Sequence, residues 1–447
     1  MKRAYLAAAA PLTLLAAFPA YAQDDTPPPA NNKITAAPAD TKQAPTSPAT
    51  LTGDWGGLRT KLRDDGVDIT GNYESEAAAN VSGGARHLVR ETGQLSLGAK
   101  MDLDKLLGIK GGVFRATVTY RRGDDLSSDA GLGVLQQVQE VYGRGQTWRL
   151  TQFWYQQTFA NGHGDIKLGR LTQGEDFAAF SCDFMNLSFC GAPAGNLAGD
   201  YWYNWPVSQW GIRGRAKNDT FYVMAGAYEV NPKNLDNKFI LGFFHHATGV
   251  LIPMEVGYTP RLGASRLPGS YKLGGWYNTA NANDLYLDIN RQPQAVTGLS
   301  PLRHDGRYGI YAQFQQQLTG TAADSPDGPH TTRGLVAFFN VTQTDRLTTA
   351  TDNQIAAGLT FTGPLASHPK DEFGLALART NVNGRTTRDL VAGAERPNAE
   401  YAAELFYGMK PADWLTVQPN VQYVIDPGGY DTARDVVILA VKTAVTF

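Results

Sequence analysis

The sequence predicts an all-β fold, a transmembrane antiparallel β-barrel of about sixteen strands with a short N-terminal helix, and three observations predict it. The last stretch, RDVVILAVKTAVTF, read with a period of two, sets Val437, Leu439, Val441, Val445 and the terminal Phe447 on one face and Lys442 on the other. The N-terminus has the pattern of a cleavable export signal. Between the two, short segments of alternating polarity repeat to the end of the chain. Alternating strands cross lipid only in a closed sheet, because every backbone group must find its partner within the wall. The expected location is the outer membrane of a Gram-negative bacterium.

At the N-terminus, Lys2 and Arg3 precede a mostly apolar run from Ala4 to Phe18, followed by Pro19 and the small-x-small pattern Ala20, Tyr21, Ala22. Residues 1–22 are therefore expected to be removed. The run is short and interrupted by Pro11, which argues against a membrane anchor. No later stretch approaches the ~18 uninterrupted apolar residues of a transmembrane helix, which excludes a helical membrane protein. Mean hydropathy is negative, as a barrel permits, since every second strand residue faces a wet lumen. The 48 glycines and 11% aromatic residues fit tight turns and interfacial girdles, although a secreted β-sandwich would share the glycine. A net charge of −2 gives no reason to expect a nucleic-acid partner.

Residues 23–50, rich in Pro, Ala and Thr, carry almost no large apolar side chain and are expected to form a disordered periplasmic segment. In residues 51–66, LTGDWGGLRTKLRDDG, Asp54 is placed to cap a short helix with Leu58 and Leu62 on one face and Gly66 at its end, expected to plug or abut the periplasmic mouth. Residues 67–447 form the barrel. Its segments are expected to start near Val67, Thr92, Gly112, Thr147, Asp165, Val207, Thr220, Ala247, Ser270, Arg307, Thr332, Asn353, Glu372, Ala399, Trp414 and Asp435, with fourteen or eighteen strands as alternatives. The alternation is clearest where Gln94, Ser96, Gly98, Lys100 and Asp102 interleave with Leu95, Leu97, Ala99, Met101 and Leu103. Residues 123–146 and 173–206 are too long for hairpins. The second holds Tyr201, Trp202, Tyr203 and Trp205 and suits either a loop folded into the channel or one lying over the rim. It also holds Cys182 and Cys190, expected to pair as a disulfide in an oxidising compartment, with free thiols or half a metal site as the alternatives.

Several stretches resemble the carbohydrate-selective porin family of the OprB type. They are LTGDWGGLRTKLRDDGVDI, NVSGG from Asn80, KLGRLTQGEDFA from Lys167, FCG from Phe189, WPVSQWGIRGR from Trp205, KLGGWYNT from Lys272, and WLTVQPNVQYVIDPGG from Trp414. The resemblance covers Leu51 to Phe447 and implies a sixteen-stranded outer-membrane channel passing sugars by diffusion, without catalysis. The implied partners are sugars and outer-membrane lipid, with association into homo-oligomers left open.

A sugar offers hydroxyls that donate and accept, and flat C–H faces, so a selective pore should present charges of both signs beside aromatic rings. Strand parity supplies them. With Phe114, Ala116, Val118 and Tyr120 outward, Arg115, Thr117, Thr119 and Arg121 point inward. With Trp210, Ile212 and Gly214 outward, Arg213 and Arg215 point inward. Arg170 lies on a strand of ambiguous parity. Glu74, Glu76, Glu255, Glu400 and Glu404 are the opposing acids, Lys100 lies on an inward row, and Trp276 shares an inward row with Lys272 and Asn278. Each of these positions could equally be a lumen residue that no sugar touches, and the arginines could serve only to neutralise wall carboxylates.

Catalytic patterns are absent from the sequence: there is no GxSxG, HExxH or GxxxxGK[ST]. His245 and His246 are adjacent and on a strand would face opposite sides, so no metal site is expected, and no cofactor. Two other functions compete: a general or anion-preferring porin, suggested by the arginines, and an outer-membrane barrel enzyme.

Overall fold

The computed structural model describes residues 50–324, 329–390 and 393–447. The expected signal peptide and all but Thr50 of the Pro-rich segment lie outside them. Sixteen long strands follow in chain order: β1 Val67–Ser82, β2 Val89–Asp102, β3 Gly112–Gly123, β4 Trp148–Phe159, β5 Gly164–Leu171, β6 Gln209–Lys217, β7 Phe221–Val230, β8 Gly249–Tyr258, β9 Leu267–Asn278, β10 Arg307–Gln317, β11 His330–Thr344, β12 Thr351–Thr362, β13 Glu372–Val382, β14 Ala399–Ala412, β15 Leu415–Ile425 and β16 Val436–Thr446. No expected start lies more than three residues from the observed one. Two short pieces, Arg261–Leu262 and Thr321–Ala323, lengthen hairpins, and a ribbon of Ala282–Asp288 with Pro301–His304 stands between β9 and β10.

Each strand pairs antiparallel with its sequence neighbour, and β1 pairs with both β2 and β16, from Asn72 opposite Thr446 to Ser82 opposite Val437. Among the described residues the sheet is closed and has no free edge. The wall alternates as expected. Leu97, Ile212, Val223, Met254, Leu273, Ile310 and Leu377 are exposed on the outside, while Gln94, Ser96, Thr117, Thr119, Gln313, Gln315, Asn340 and Gln422 are buried inside. This polarity is the inverse of a water-soluble barrel and suits lipid outside with polar groups within.

The N-terminal helix packs against the first and last strands of the barrel. A 3-10 turn, Trp55–Gly57, precedes the α-helix Leu58–Asp64, and the Asp54 carboxylate accepts from the Thr60 N–H at 2.9 Å and its hydroxyl at 2.7 Å. Leu58 is exposed and Leu62 half-buried, so the leucine face alone does not dock the helix. Arg59 does. Its buried guanidinium donates to the Thr50 hydroxyl at 2.8 Å, the Ile69 carbonyl at 2.9 Å and a main-chain oxygen of Phe447 at 2.7 Å, while the Leu51 N–H donates to Thr446 at 2.8 Å. The helix is thereby fastened to the seam where the barrel closes. Arg59→Ala should free it at a cost of about 1–3 kcal/mol, read as faster tryptic cleavage at Lys61 and Arg63 with the strand content unchanged.

Candidate functional site

The loops of residues 124–147 and 172–208 both fold into the barrel, and acids of the wall hold them there. Glu76 accepts from the Val141 N–H at 3.2 Å, and Glu400 from Leu135 at 2.6 Å, Gln136 at 3.3 Å and Gly428 at 2.9 Å. Glu255 accepts from the Ala178 N–H at 2.9 Å and from the Tyr222 and Tyr311 hydroxyls at 2.6 and 2.7 Å. Glu404 accepts from the Met185 and Asn186 N–H groups, both at 2.7 Å. Amides run the other way: Gln313 donates to the Ala178 carbonyl, Gln418 to Asp183 and Gln422 to Val138. Buried backbone polar groups need partners, and carboxylates make strong acceptors for them.

The two loops also bind each other. Glu140 donates its N–H to the Met185 carbonyl at 3.0 Å, and Leu187 donates to Gln137 at 2.9 Å. Lys442 reaches Glu140 at 2.6 Å and Glu76 at 3.6 Å, which ties the closing strand to both β1 and the first loop. The disulfide joins Cys182 to Cys190 within the second loop.

The aromatic residues of the second loop are buried rather than presented. Trp202 meets Trp276 edge-on at 5.3 Å and Tyr311 at 6.3 Å, and Trp276 donates its indole N–H to the Tyr201 hydroxyl at 3.0 Å. The rings lie where neighbouring strands carry glycine. A Cβ at Gly309 would sit 2.1 Å from Trp276, and one at Gly274 would sit 2.2 Å from Tyr311. Among the expected residues, Trp276 thus packs the loop against the wall. Arg121, fully buried, donates to Gln94 at 2.8 Å, and the Trp205 indole shares the same Gln94 oxygen at 3.0 Å. Arg170 donates to the Ser208 hydroxyl at 3.1 Å and to Asn234 at 3.2 Å. Its uncertain parity has a cause: Gly169, at φ +133°, breaks the alternation just before it and turns Arg170 into the protein.

Three expected residues come together with four others. Arg213 pairs with Asp165 and, at 3.2 Å, with Asp176; Arg215 pairs with Asp165 at 2.8 Å; Lys167 pairs with Asp176 at 2.9 Å. Glu175 accepts from Gln152, and Arg115 and Lys167 are its charged neighbours. Lys167 also lies 4.7 Å above the Trp154 ring. The cluster therefore sets Arg115, Lys167, Arg213 and Arg215 against Asp165, Glu175 and Asp176 where the second loop leaves β5. Arg115 and Arg215 are half-buried. Lys100 is exposed on the inward row opposite Arg115, and Glu74 is half-buried opposite Gln94. Asp165, Lys167, Glu175 and Asp176 were missed. Period-two reading of DIKLG, with Ile166 and Leu168 outward, identifies the first two; Glu175 and Asp176 lie in a loop, where no periodicity exists.

Burial pushes the Glu175 carboxyl up to about 7 against the pull of Lys167 and Arg115. As pH rises through that value Glu175 gains negative charge, so the reversal potential across a planar bilayer should move towards cation preference, and Glu175→Gln should flatten the change. Glu404→Leu should leave the Met185 and Asn186 N–H groups unpaired, at about 1–3 kcal/mol each. A larger and noisier single-channel conductance is the expected readout.

Known proteins agree with this architecture. Residues 86–447 match the family described as "Carbohydrate-selective porin, OprB family". Porin B of Pseudomonas aeruginosa is 42% identical over 419 residues, covering 89% of this chain and 91% of that protein. The putative porin QuiX of Acinetobacter baylyi is 32% identical over 425 residues, covering 89% and 93%. A solved high-pH structure of Pseudomonas putida OprB superposes with a TM-score of 0.83 at 40% identity, covering 90% of this chain and 99% of that one. The chain belongs to the OprB family of carbohydrate-selective porins, β-barrels of the Gram-negative outer membrane.

Proposed function

We propose that the charged cluster of Arg115, Lys167, Arg213, Arg215, Asp165, Glu175 and Asp176 is where this sugar porin exchanges the hydration of a sugar for its own hydrogen bonds. The observation that carries the reading is the interlocking of Lys167, Arg213 and Arg215 with Asp165 and Asp176 within hydrogen-bond distance, with Arg115 and Glu175 beside them. Unopposed arginines would set up a field favouring anions, whereas paired charges offer donors and acceptors side by side. A neutral polyhydroxylated solute uses both kinds of group.

In this reading the remaining inward residues divide by what they touch. Glu76, Glu255, Glu404, Arg121, Arg170 and Trp276 hold the inner loops and so set the width available to the solute. Glu74 and Lys100 line the approach. Transport is passive, contacts must stay weak for flux, and no catalytic step is involved.

Reconstituted protein should admit a neutral monosaccharide faster than an anion of equal size; equal entry would favour the general porin instead. Arg115→Ala should raise the half-saturation of sugar uptake about tenfold, the equivalent of ~1.4 kcal/mol, with assembly unchanged.

A further inference from the structure

The loop of residues 231–248, between β7 and β8, carries an apolar run, KFILGFFHH from Lys238, that the other described residues leave largely exposed. Phe239 is 46% exposed, Leu241 56%, Phe243 63% and Phe244 62%. So much contiguous apolar surface in water marks a contact site.

Its position shows which side of the rim the run occupies. The Phe243 ring is stacked on Trp210, with centroids 4.1 Å apart and planes 15° from parallel, and the Trp210 indole N–H donates to the Gly242 carbonyl at 2.9 Å. Trp210 shares the outward row of β6 with Ile212, the face that meets lipid. A loop pinned to an outward tryptophan has crossed the rim and lies against the outer wall. Its base is fastened where Asn231 donates to the His245 carbonyl at 3.0 Å and Thr248 donates to Val230 at 2.7 Å. Below it, Ile212 on β6 and Val250 and Met254 on β8 continue the apolar surface into the membrane. The loop's one acid, Asp236, is shared by Lys238 at 3.1 Å and Lys233 at 3.6 Å, so the run is flanked by net positive charge beside exposed His245 and His246.

We propose that this run is a lipid-binding element that inserts Phe239, Leu241, Phe243 and Phe244 at the boundary between acyl chains and headgroups of the outer leaflet, with Lys238 and the histidines towards anionic headgroups. Three features favour lipid as the occupant: continuity with a surface the membrane already covers, aromatic rings at the level of the outward tryptophan, and the sign of the flanking charge. The element anchors the rim on one side of the barrel without entering the solute path.

Both cysteines are in the disulfide, so a single introduced cysteine can be labelled alone. The full chain carrying Leu241→Cys or Phe244→Cys would be labelled with a nitroxide in phosphatidylethanolamine–phosphatidylglycerol vesicles, with and without lipopolysaccharide. Collision with oxygen and with a water-soluble nickel chelate would then be compared. Leu273→Cys on the outward row of β9 is the lipid reference, and Val296→Cys in the exposed loop before β10 is the water reference. The expected result is an oxygen-dominated ratio at 241 and 244 close to that at 273, which Phe243→Ser shifts towards the ratio at 296. A ratio matching 296 in both vesicles overturns the proposal. Exclusion of both reagents with dipolar broadening between labels also overturns it, in favour of a second copy of the chain. Should either cysteine variant fail to assemble, Phe239→Cys carries the same comparison.

Discussion

The structure depends on one constraint: a backbone in lipid has no water to satisfy its polar groups, so the sheet must close on itself. The pairing of β1 with β16 removes the last edge. It brings Phe447 beside Gly71, whose carbonyl accepts the terminal N–H at 2.8 Å, and it gives Arg59 a main-chain oxygen to hold. The short N-terminal helix is thus fastened at the closure, chiefly by one arginine. Closure also commits every second side chain to the inside, which leaves the barrel a polar interior that something must fill or hydrate.

Two loops fill part of it. Their backbone amides are buried, and leaving them unpaired would cost more than the hydrogen bonds return elsewhere. Wall carboxylates solve this by accepting those N–H groups, so Glu76, Glu255, Glu400 and Glu404 stand at the loop contacts. A buried carboxylate is itself costly unless its oxygens are occupied, and here each partner satisfies the other. Tyr222 and Tyr311 complete the ring of donors around Glu255. The proposed solute path runs beside these plugged regions, next to the charged cluster at the end of β5.

Much of this was legible from the chain. Strand positions and parity follow from local alternation, which puts Arg115, Arg213, Arg215, Glu76, Glu255, Glu404, Lys272 and Trp276 on rows opposite the outward ones. Parity says which face a residue takes and nothing about its partner. Arg121 and Arg115 share one row of β3, yet the first is sealed under Trp205 through Gln94 and the second stays near Glu175. Arg170 eluded the alternation because a glycine at positive φ interrupts it.

The sequence by itself determined the barrel and its strand positions, because a period of two and the turn residues between strands are local properties; the disulfide was expected from two cysteines in an exported chain, and the family from a resemblance of motifs. Only the tertiary structure decided which inward residues hold loops. Those pairings join residues far apart in the chain, such as Glu404 with Met185 across 219 positions and Glu400 with Leu135 across 265. Contacts of that range arise from closing the wall and folding the loops into it, and no local pattern encodes them.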